Sequence, residues 1–392
     1  LGGILSTPNK KFLLENSIGP VQNAADVLQI GFVQGFDSNY PGEVFVLNLP
    51  YLGSFPRRFK KIYIPGENGA FFSKARLVGV GFFNITVIKA VARFFSSFFG
   101  LLKYGFVADH LVVYAAHLPF VCSAILFSFV RRRVQLAIII PDLPEFMSDK
   151  TGLMGWLKKI QASVFYFLVK RFDKFVVLTE AMADRIGVKR DAFTVVEGIA
   201  LPRMLAQRKG ERRYILYTGT LELRYGIKLL IEAFNVANPE NCELWICGDG
   251  DGRDFVTQSS AENSKIVFLG QLERERVLRL QEEALVLINP RQPIGEFTKY
   301  SFPSKVIEYM SSARPVLMYD LPGVPREYSP YYLRPRDLTV ESLAEVILYV
   351  SEASDSFLDD FGFEAKKFID EHKSADAQVS RVVQFFFGDK ND

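Results

Sequence analysis

Lys299–Met310, KYSFPSKVIEYM, lies between two β-branched runs, Leu285–Ile288 and Pro315–Tyr319, and the fold is read outward from it. Proline suits a first helical turn, where its missing N–H costs nothing, so Pro303, Ser304 and Lys305 open a helix expected over 304–312. The free N–H groups and positive end of such a helix attract an anion, and Ser304 and Lys305 add donors. Glu308, one turn on, is placed to accept the two hydroxyls of a ribose. Anion and ribose on adjacent turns describe a nucleoside diphosphate. The same letters also fit an ordinary helix start followed by an exposed Glu.

Strand, helix and strand in this order form the βαβ unit of a parallel sheet. Upstream, Tyr214–Tyr217, Leu244–Cys247 and Ile266–Leu269 read as further strands, with helical patterns at about 226–237, 252–260 and 273–283. That is a doubly wound sheet, whose ligands bind beyond the carboxyl ends of the strands. The first half predicts strands at Lys11–Leu14, Glu43–Asn48, Lys61–Ile64, Leu111–Tyr114, Leu136–Ile140 and Lys174–Leu178. The basic stretch Arg203–Arg213 reads as the link between an N-terminal domain, 1–203, and a C-terminal one, 212–372. Residues 373–392, with the Phe-rich Val379–Phe387, are expected to form a helix that packs back on the body.

A chain of 392 residues suits two domains of this size, each with a full core. Three cysteines are too few for a disulfide framework, and Cys242 and Cys247 fall in or beside a buried strand, as reduced core residues do. With His110, His117 and His372 they give no metal-ligand spacing, so neither a metal nor another cofactor is expected. The net charge is +3, yet residues 1–200 hold 23 Lys and Arg against 14 Asp and Glu. These basic residues sit among Phe, Leu and Val, which favours a lipid surface over nucleic acid as the anionic partner.

Leu111–Val130 carries no formal charge outside His117 and is followed by Arg131–Arg133, the length and flank of a membrane span. Val112–Tyr114 is β-branched and aromatic, however, and His117 and Pro119 fall near the middle, so strand, turn and core helix read better. Phe82–Lys103 reads as an interfacial helix. Its basic stripe of Lys89, Arg93, Ser96, Gly100 and Lys103 would face water and headgroups; a core helix with one solvated stripe fits equally. Trp156–Lys174 repeats the mixture.

Three loops carry candidate chemistry. Tyr217–Gly226 offers Gly219 for close backbone approach, Thr220 for a hydroxyl and Arg224 for a diphosphate, although glycine after a strand often only makes a turn. Cys247–Gly252 provides Gly248, and after the next strand the backbone of Gln271 and Leu272 is placed to read a base edge. In the first half, His117 and Asp142 each follow a strand and would face a ligand cleft; a satisfied core histidine and a helix cap before Leu143–Met147 are the plainer readings. The loop Asn16–Asn23 is a further candidate for the cleft border.

Taken in order, YTGTLELRYGIKLLIEAF (217–234), ELWICGDGDG (243–252), IVFLGQLERERVLRL (266–280) and SFPSKVIEYMSSARPVL (301–317) resemble the C-terminal domain of retaining glycosyltransferases of family four. The likeness spans about 214–320, and IIIPDLPEF, FVVLTEAMADRIG and VVEGIAL resemble the last units of that family's acceptor domain. It implies an α/β protein of GT-B architecture, two facing Rossmann-like domains with parallel sheets and a C-terminal helix packing back.

By the same resemblance, Glu308 is the second Glu of the family's Glu-x7-Glu motif, which holds the donor ribose. Tyr300 stands at the first, and Thr220 and Tyr225 stand where the family has the Arg and Lys of the diphosphate. Arg224 and Lys305 are candidates for the missing charge, and Glu296 for the missing carboxylate unless it is an exposed loop charge. The GTL…YG and FPSK…EYM pattern resembles a subgroup associated with bacterial surface-polysaccharide assembly.

The resemblance thus implies a retaining glycosyltransferase without a metal, moving a sugar from a nucleoside-diphosphate donor to a lipid-linked or glycan acceptor. With the basic, apolar first half, it implies a peripheral place on the cytoplasmic face of the plasma membrane, and no nucleic-acid partner. A GT-B nucleotide-sugar epimerase or hydrolase, and a non-catalytic nucleotide-sugar-binding scaffold, are the alternatives.

Overall fold

A computed structural model of the protein describes residues 1–5, 7–19, 23–86, 88–146, 152–203, 205 and 212–388. They fall into two compact units, Leu1–Leu201 with Lys299–Ser301 and Ala375–Asp392, and Pro202–Thr298 with Phe302–Ser374. The linker read at Arg203–Arg213 lies largely outside the described residues, and Arg203 itself belongs to the second unit.

The first unit runs α1 (Lys10–Asn16), α2 (Asn23–Asn39), β1 (Val44–Asn48), β2 (Tyr63–Ile64), β3 (Asn68–Ala70), β4 (Ala75–Gly79) and β5 (Phe82–Phe83). It continues through α3 (Lys89–Tyr104), β6 (His110–Tyr114), α4 (Leu118–Val130), β7 (Gln135–Ile140), α5 (Gly152–Val169), β8 (Lys174–Val177), α6 (Glu180–Ile186) and β9 (Phe193–Val195). Strands β6, β7, β8 and β9 pair in that order, all parallel. A second sheet joins β1 to β4 in parallel and β4 to β3 antiparallel. The opening residues bridge the two sheets, since Gly2 N donates to Leu47 O (3.1 Å) and Tyr114 N to Leu1 O (2.8 Å).

Strand β7 is buried from Leu136 to Ile140, as a central parallel strand covered on both faces must be.

The second unit runs β10 (Tyr214–Thr218), α7 (Ile227–Ala237), β11 (Glu243–Cys247), α8 (Arg253–Glu262), β12 (Ile266–Gly270), α9 (Arg274–Glu283), β13 (Val286–Asn289), α10 (Lys305–Met310), β14 (Val316–Met318), α11 (Val340–Glu352) and α12 (Asp355–His372). Its sheet has the order β12-β11-β10-β13-β14 and is parallel throughout. The chain builds outward from β10 to β12 and then returns to the other side of β10, so the topological switch lies between β10 and β13. The last helix, α13 (Ala375–Phe387), belongs to the first unit and packs along α2. There Val379 and Val382 meet Phe32, Ala137 and Ile139.

Several expectations need correction. Lys11–Leu14 is helical, within α1: its Lys, Leu and Glu are helix formers, and only Leu13 of the helix is buried. Lys61–Ile64 reduces to the two residues of β2. Phe82–Lys103 is not one helix; Phe82–Phe83 pairs with β2, and the helix starts at Lys89. Its supposed water-facing stripe points inward at Arg93 and Gly100, both buried, while Val91, Phe95 and Phe99 are exposed. The uncharged Leu111–Val130 is β6, a turn and α4, with Pro119 in the first helical turn. Among the described residues no helix is long and apolar enough to cross a membrane.

Candidate functional site

The C-terminal end of β10 carries a polar cluster that the neighbouring helices assemble. Thr218, buried at the strand end, donates its backbone N–H to the Tyr309 hydroxyl (2.9 Å), and that hydroxyl donates to the Thr218 carbonyl (2.9 Å). Tyr309 thereby fixes α10 against the sheet. On the same helix, Glu308 Oε1 accepts from Lys305 Nζ (2.8 Å) and from Gln281 Nε2 of α9 (2.7 Å), and Arg274 Nη1 stands 3.7 Å from Oε2. Gln281 also donates to Thr218 Oγ1 (3.1 Å). Burial alone would raise the Glu308 carboxyl, yet Lys305, Gln281 and Arg274 together hold it below the usual carboxylate range. Glu308 is therefore an ion at neutral pH, an acceptor for hydroxyl groups.

Gln281 is itself held. Arg203 donates to Gln281 Oε1 (3.2 Å), to Glu282 Oε1 (2.9 Å) and to the Leu278 carbonyl (2.5 Å), in a largely buried network. Gln281 and Arg274 were missed from sequence because α9, RERVLRLQEE, looks like a solvated charged helix, and Arg203 because it reads as the start of a linker. The available signal was the heptad from Arg274 to Gln281, with Val277 and Leu278 between, which puts those positions on one face.

Gly219 and Gly248 bring two strand ends together. Gly219 N donates to Cys247 O (3.0 Å) and Gly248 N to Gly270 O (2.9 Å), and both glycines have positive φ (+153° and +151°). A Cβ on Gly248 would overlap the Gly219 carbonyl oxygen; one on Gly219 would come 3.8 Å from Lys305 Cε. The two glycines let the strand ends pass close to each other, and Gly219 borders Lys305.

The remaining sequence candidates are spread out. Thr220 is exposed, and its carbonyl accepts from the Tyr217 hydroxyl (2.7 Å). Arg224, in the short turn Leu223–Tyr225, pairs with Glu222 and lies over the Tyr225 and Phe297 rings (5.3 and 5.8 Å). Arg291, just beyond β13 and unnoticed in the sequence, faces the same rings at 5.5 and 4.7 Å. Two guanidinium groups thus gather before the first turn of α7. Gln271 is exposed and Leu272 half-buried after β12. Pro303 precedes α10, and Ser304 caps it in a helical conformation without a side-chain capping bond, so only Lys305 of the three adds a side-chain donor to Glu308. The helix is six residues, shorter than 304–312. Tyr300 belongs to the first unit, its ring stacked on Phe146 at 5.2 Å, and Glu296 is an exposed residue of the turn Glu296–Lys299.

In the first unit, His117 follows β6 and caps α4 without a side-chain capping bond. Its Nε2 stands 3.4 Å from Arg93 Nη1, its Nδ1 is buried without a partner, and its ring lies 4.5 Å from Phe120 and 5.5 Å from Tyr51. Burial, with Arg93 and Lys89 close by, pushes the imidazole down to about 3, so His117 is neutral. Arg93 donates to the Pro50 carbonyl and lies over Phe82 (4.7 Å) and Tyr51 (5.3 Å), which explains how a guanidinium is accommodated inside. Lys89 donates to the Leu52 carbonyl; burial, and then Arg93, bring its ammonium down to about 7.

Asp142, after β7, keeps solvent contact, yet desolvation by the protein around it raises its carboxyl to about 6. The cap expected before Leu143–Met147 is a short turn, Pro144–Phe146, with Met147 outside the described residues, as are 20–22 of the Asn16–Asn23 loop. Among the described residues no group of three or more His, Cys, Asp or Glu could hold a metal ion.

Residues 212–352 match the family model described as glycosyl transferases group 1. No curated protein matches the chain. Among solved structures, sucrose-phosphate synthase from Thermosynechococcus elongatus aligns with a TM-score of 0.66 at 14% identity, over 98% of this chain and 97% of that one. HepE from Anabaena, in complex with UDP, aligns at 0.57 and 14% identity over 80% and 86%. A TarM mutant from S. aureus, in complex with Fondaparinux, alpha-GlcNAc-glycerol and UDP, aligns at 0.54 and 15% identity over 79% of this chain. The chain spans 62% of the TarM chain. At such identities the likeness concerns the fold, which is the GT-B fold with its parallel sheets.

Proposed function

We propose that the protein is a retaining glycosyltransferase that moves a sugar from a nucleoside-diphosphate donor to a lipid-linked or glycan acceptor, without a metal, in cell-surface polysaccharide assembly at the cytoplasmic face of the plasma membrane. The observation that carries this reading is the ionised Glu308 at the switch between β10 and β13, oriented by Lys305 and Gln281. Its carboxylate accepts the ribose hydroxyls. The relatives bound to UDP support a nucleotide donor of this kind.

Breaking the sugar–phosphate bond leaves negative charge on the diphosphate and positive charge at the sugar. Fixed cations near the departing phosphate stabilise that state more than the ground state. Lys305 is the cation beside Glu308, and Arg224 and Arg291, backed by Tyr225 and Phe297, supply charge where Thr220 and Tyr225 replace the family's Arg and Lys. In a front-face reaction the donor phosphate takes the acceptor proton, so no protein nucleophile is required. Neutral His117 donates or accepts a hydrogen bond to a sugar hydroxyl. Asp142, near half-ionised at pH 6, orients the acceptor hydroxyl.

The test is turnover with UDP-, GDP- and ADP-sugars against lipid-pyrophosphate and oligosaccharide acceptors, with the new linkage read by NMR coupling. A glycosylated acceptor that keeps the donor's anomeric configuration is expected. An inverted linkage, or release of free sugar alone, contradicts the proposal, and nucleotide binding without any turnover moves the chain to the scaffold reading.

A further inference from the structure

We infer that the outward face of α3, α4 and α5 is a docking surface for an anionic lipid bilayer. Helices α4 and α5 connect the successive parallel strands β6, β7 and β8; α3 leads into β6 and packs along α4, and α4 contacts α5. Right-handed crossovers progressing in one direction along a sheet put α4 and α5 on one face, and α3 joins that layer by packing along α4. Each helix then turns an apolar stripe to solvent. On α3 it is Val91, Phe95 and Phe99, spaced i, i+4, i+8. On α5 it is Trp156, Ile160 and Val164 at the same spacing, continued by Phe167; on α4 it is Phe129 with Val130. Phe99 is 60% exposed, Phe129 60% and Phe167 72%. Isolated exposed apolar residues are ordinary, but stripes at helical period on three adjacent helices form a contiguous patch of the kind that marks an interaction surface.

Charge identifies the occupant. None of the three helices contains an Asp or a Glu. Each helix leads into the start of a strand of the same parallel sheet, α3 into β6, α4 into β7 and α5 into β8, so their C-terminal ends lie at one edge of the layer. That edge carries Lys103, the pair Arg132 and Arg133, and the pair Lys170 and Arg171, all exposed. The acidic residues next to these ends are engaged, Asp109 with Arg131 and Asp173 with the Leu136 N–H. A second copy of this chain pressed face to face would set cations against cations. A bilayer with anionic headgroups takes the apolar stripes into its interface and the basic edge onto its surface. The outward Phe stripe of α3, opposite in sense to the basic stripe read from sequence, is what makes this face apolar.

This deepens the proposed reading, because a lipid-linked acceptor is met at a bilayer, but its test uses no nucleotide and can fail while donor binding stands. The test is co-sedimentation of the full chain with phosphatidylcholine vesicles with and without 30% phosphatidylglycerol, the figure being about the anionic share that gives a marked surface potential. Binding should be at least tenfold tighter to the anionic vesicles. The triple variant Phe95→Ser, Phe99→Ser, Phe129→Ser should lose at least tenfold, and Lys170→Glu with Arg171→Glu should abolish the preference for anionic lipid. All five positions are exposed, so circular dichroism and an unchanged thermal unfolding midpoint check that the variants remain folded. Equal binding to both vesicle types, unaltered binding by the triple variant, or a dimer in light scattering that the triple variant dissolves would each overturn the inference.

Discussion

Glu308 and His117 are opposite solutions to burying a titratable group. Glu308 keeps its charge because Lys305, Gln281 and Arg274 surround it; His117 gives up its charge because it is desolvated by burial, with Arg93 and Lys89 beside it. An unfolded histidine titrates near 6.5. Its folded value here is depressed to about 3, so between those values the unfolded chain binds a proton that the folded chain excludes. The His117 contribution to stability is thus fully present above about 6.5 and is lost as pH falls toward 3. Urea unfolding at pH 7, 5.5 and 4 should show a steeper loss of stability on acidification in the wild type than in His117→Asn. Equal slopes would mean that the imidazole is protonated in the folded protein.

The strand ends at β10, β11 and β12 meet through backbone contact, which is why glycines stand there. A side chain at Gly248 meets the Gly219 carbonyl and a positive φ at once. Gly248→Ala should therefore destabilise the second unit by about 1–3 kcal/mol in denaturant unfolding, the range of strained or overpacked substitutions. A loss below about 0.5 kcal/mol, the scatter of neutral surface changes, would contradict that packing.

These strands were legible in the sequence because central parallel strands are continuous apolar runs, as in Tyr214–Tyr217 and Leu285–Ile288. Helix α3 was only half legible. Its amphipathic period is plain, but the inward turn of Arg93 depends on the Leu49 and Pro50 carbonyls and on Tyr51, more than forty positions away in sequence. Partners remote in sequence hid Gln281 too: its role comes from Glu308, Thr218 and Arg203, none of them on its own helix. Lys11–Leu14 failed for a different reason, since four residues are too few to separate a strand period from a helical one.

Across the molecule the chemistry divides between the units. The second holds the Glu308 cluster, the glycine-bearing strand ends and the Arg224–Arg291 pair; the first holds His117, Asp142 and the apolar helix layer. The excess of basic over acidic residues in 1–200 follows this division, with exposed cations at the ends of α3, α4 and α5. The family match, 212–352, covers most of the second unit and only Lys299–Ser301 of the first. The direct measurement is calorimetric titration of UDP, GDP and ADP into the wild type and into Glu308→Ala. Saturable binding of one diphosphate, weakened tenfold or more in the variant (about 1.4 kcal/mol), is the predicted result. Absence of binding by the folded wild type, or equal affinity in Glu308→Ala, would contradict it.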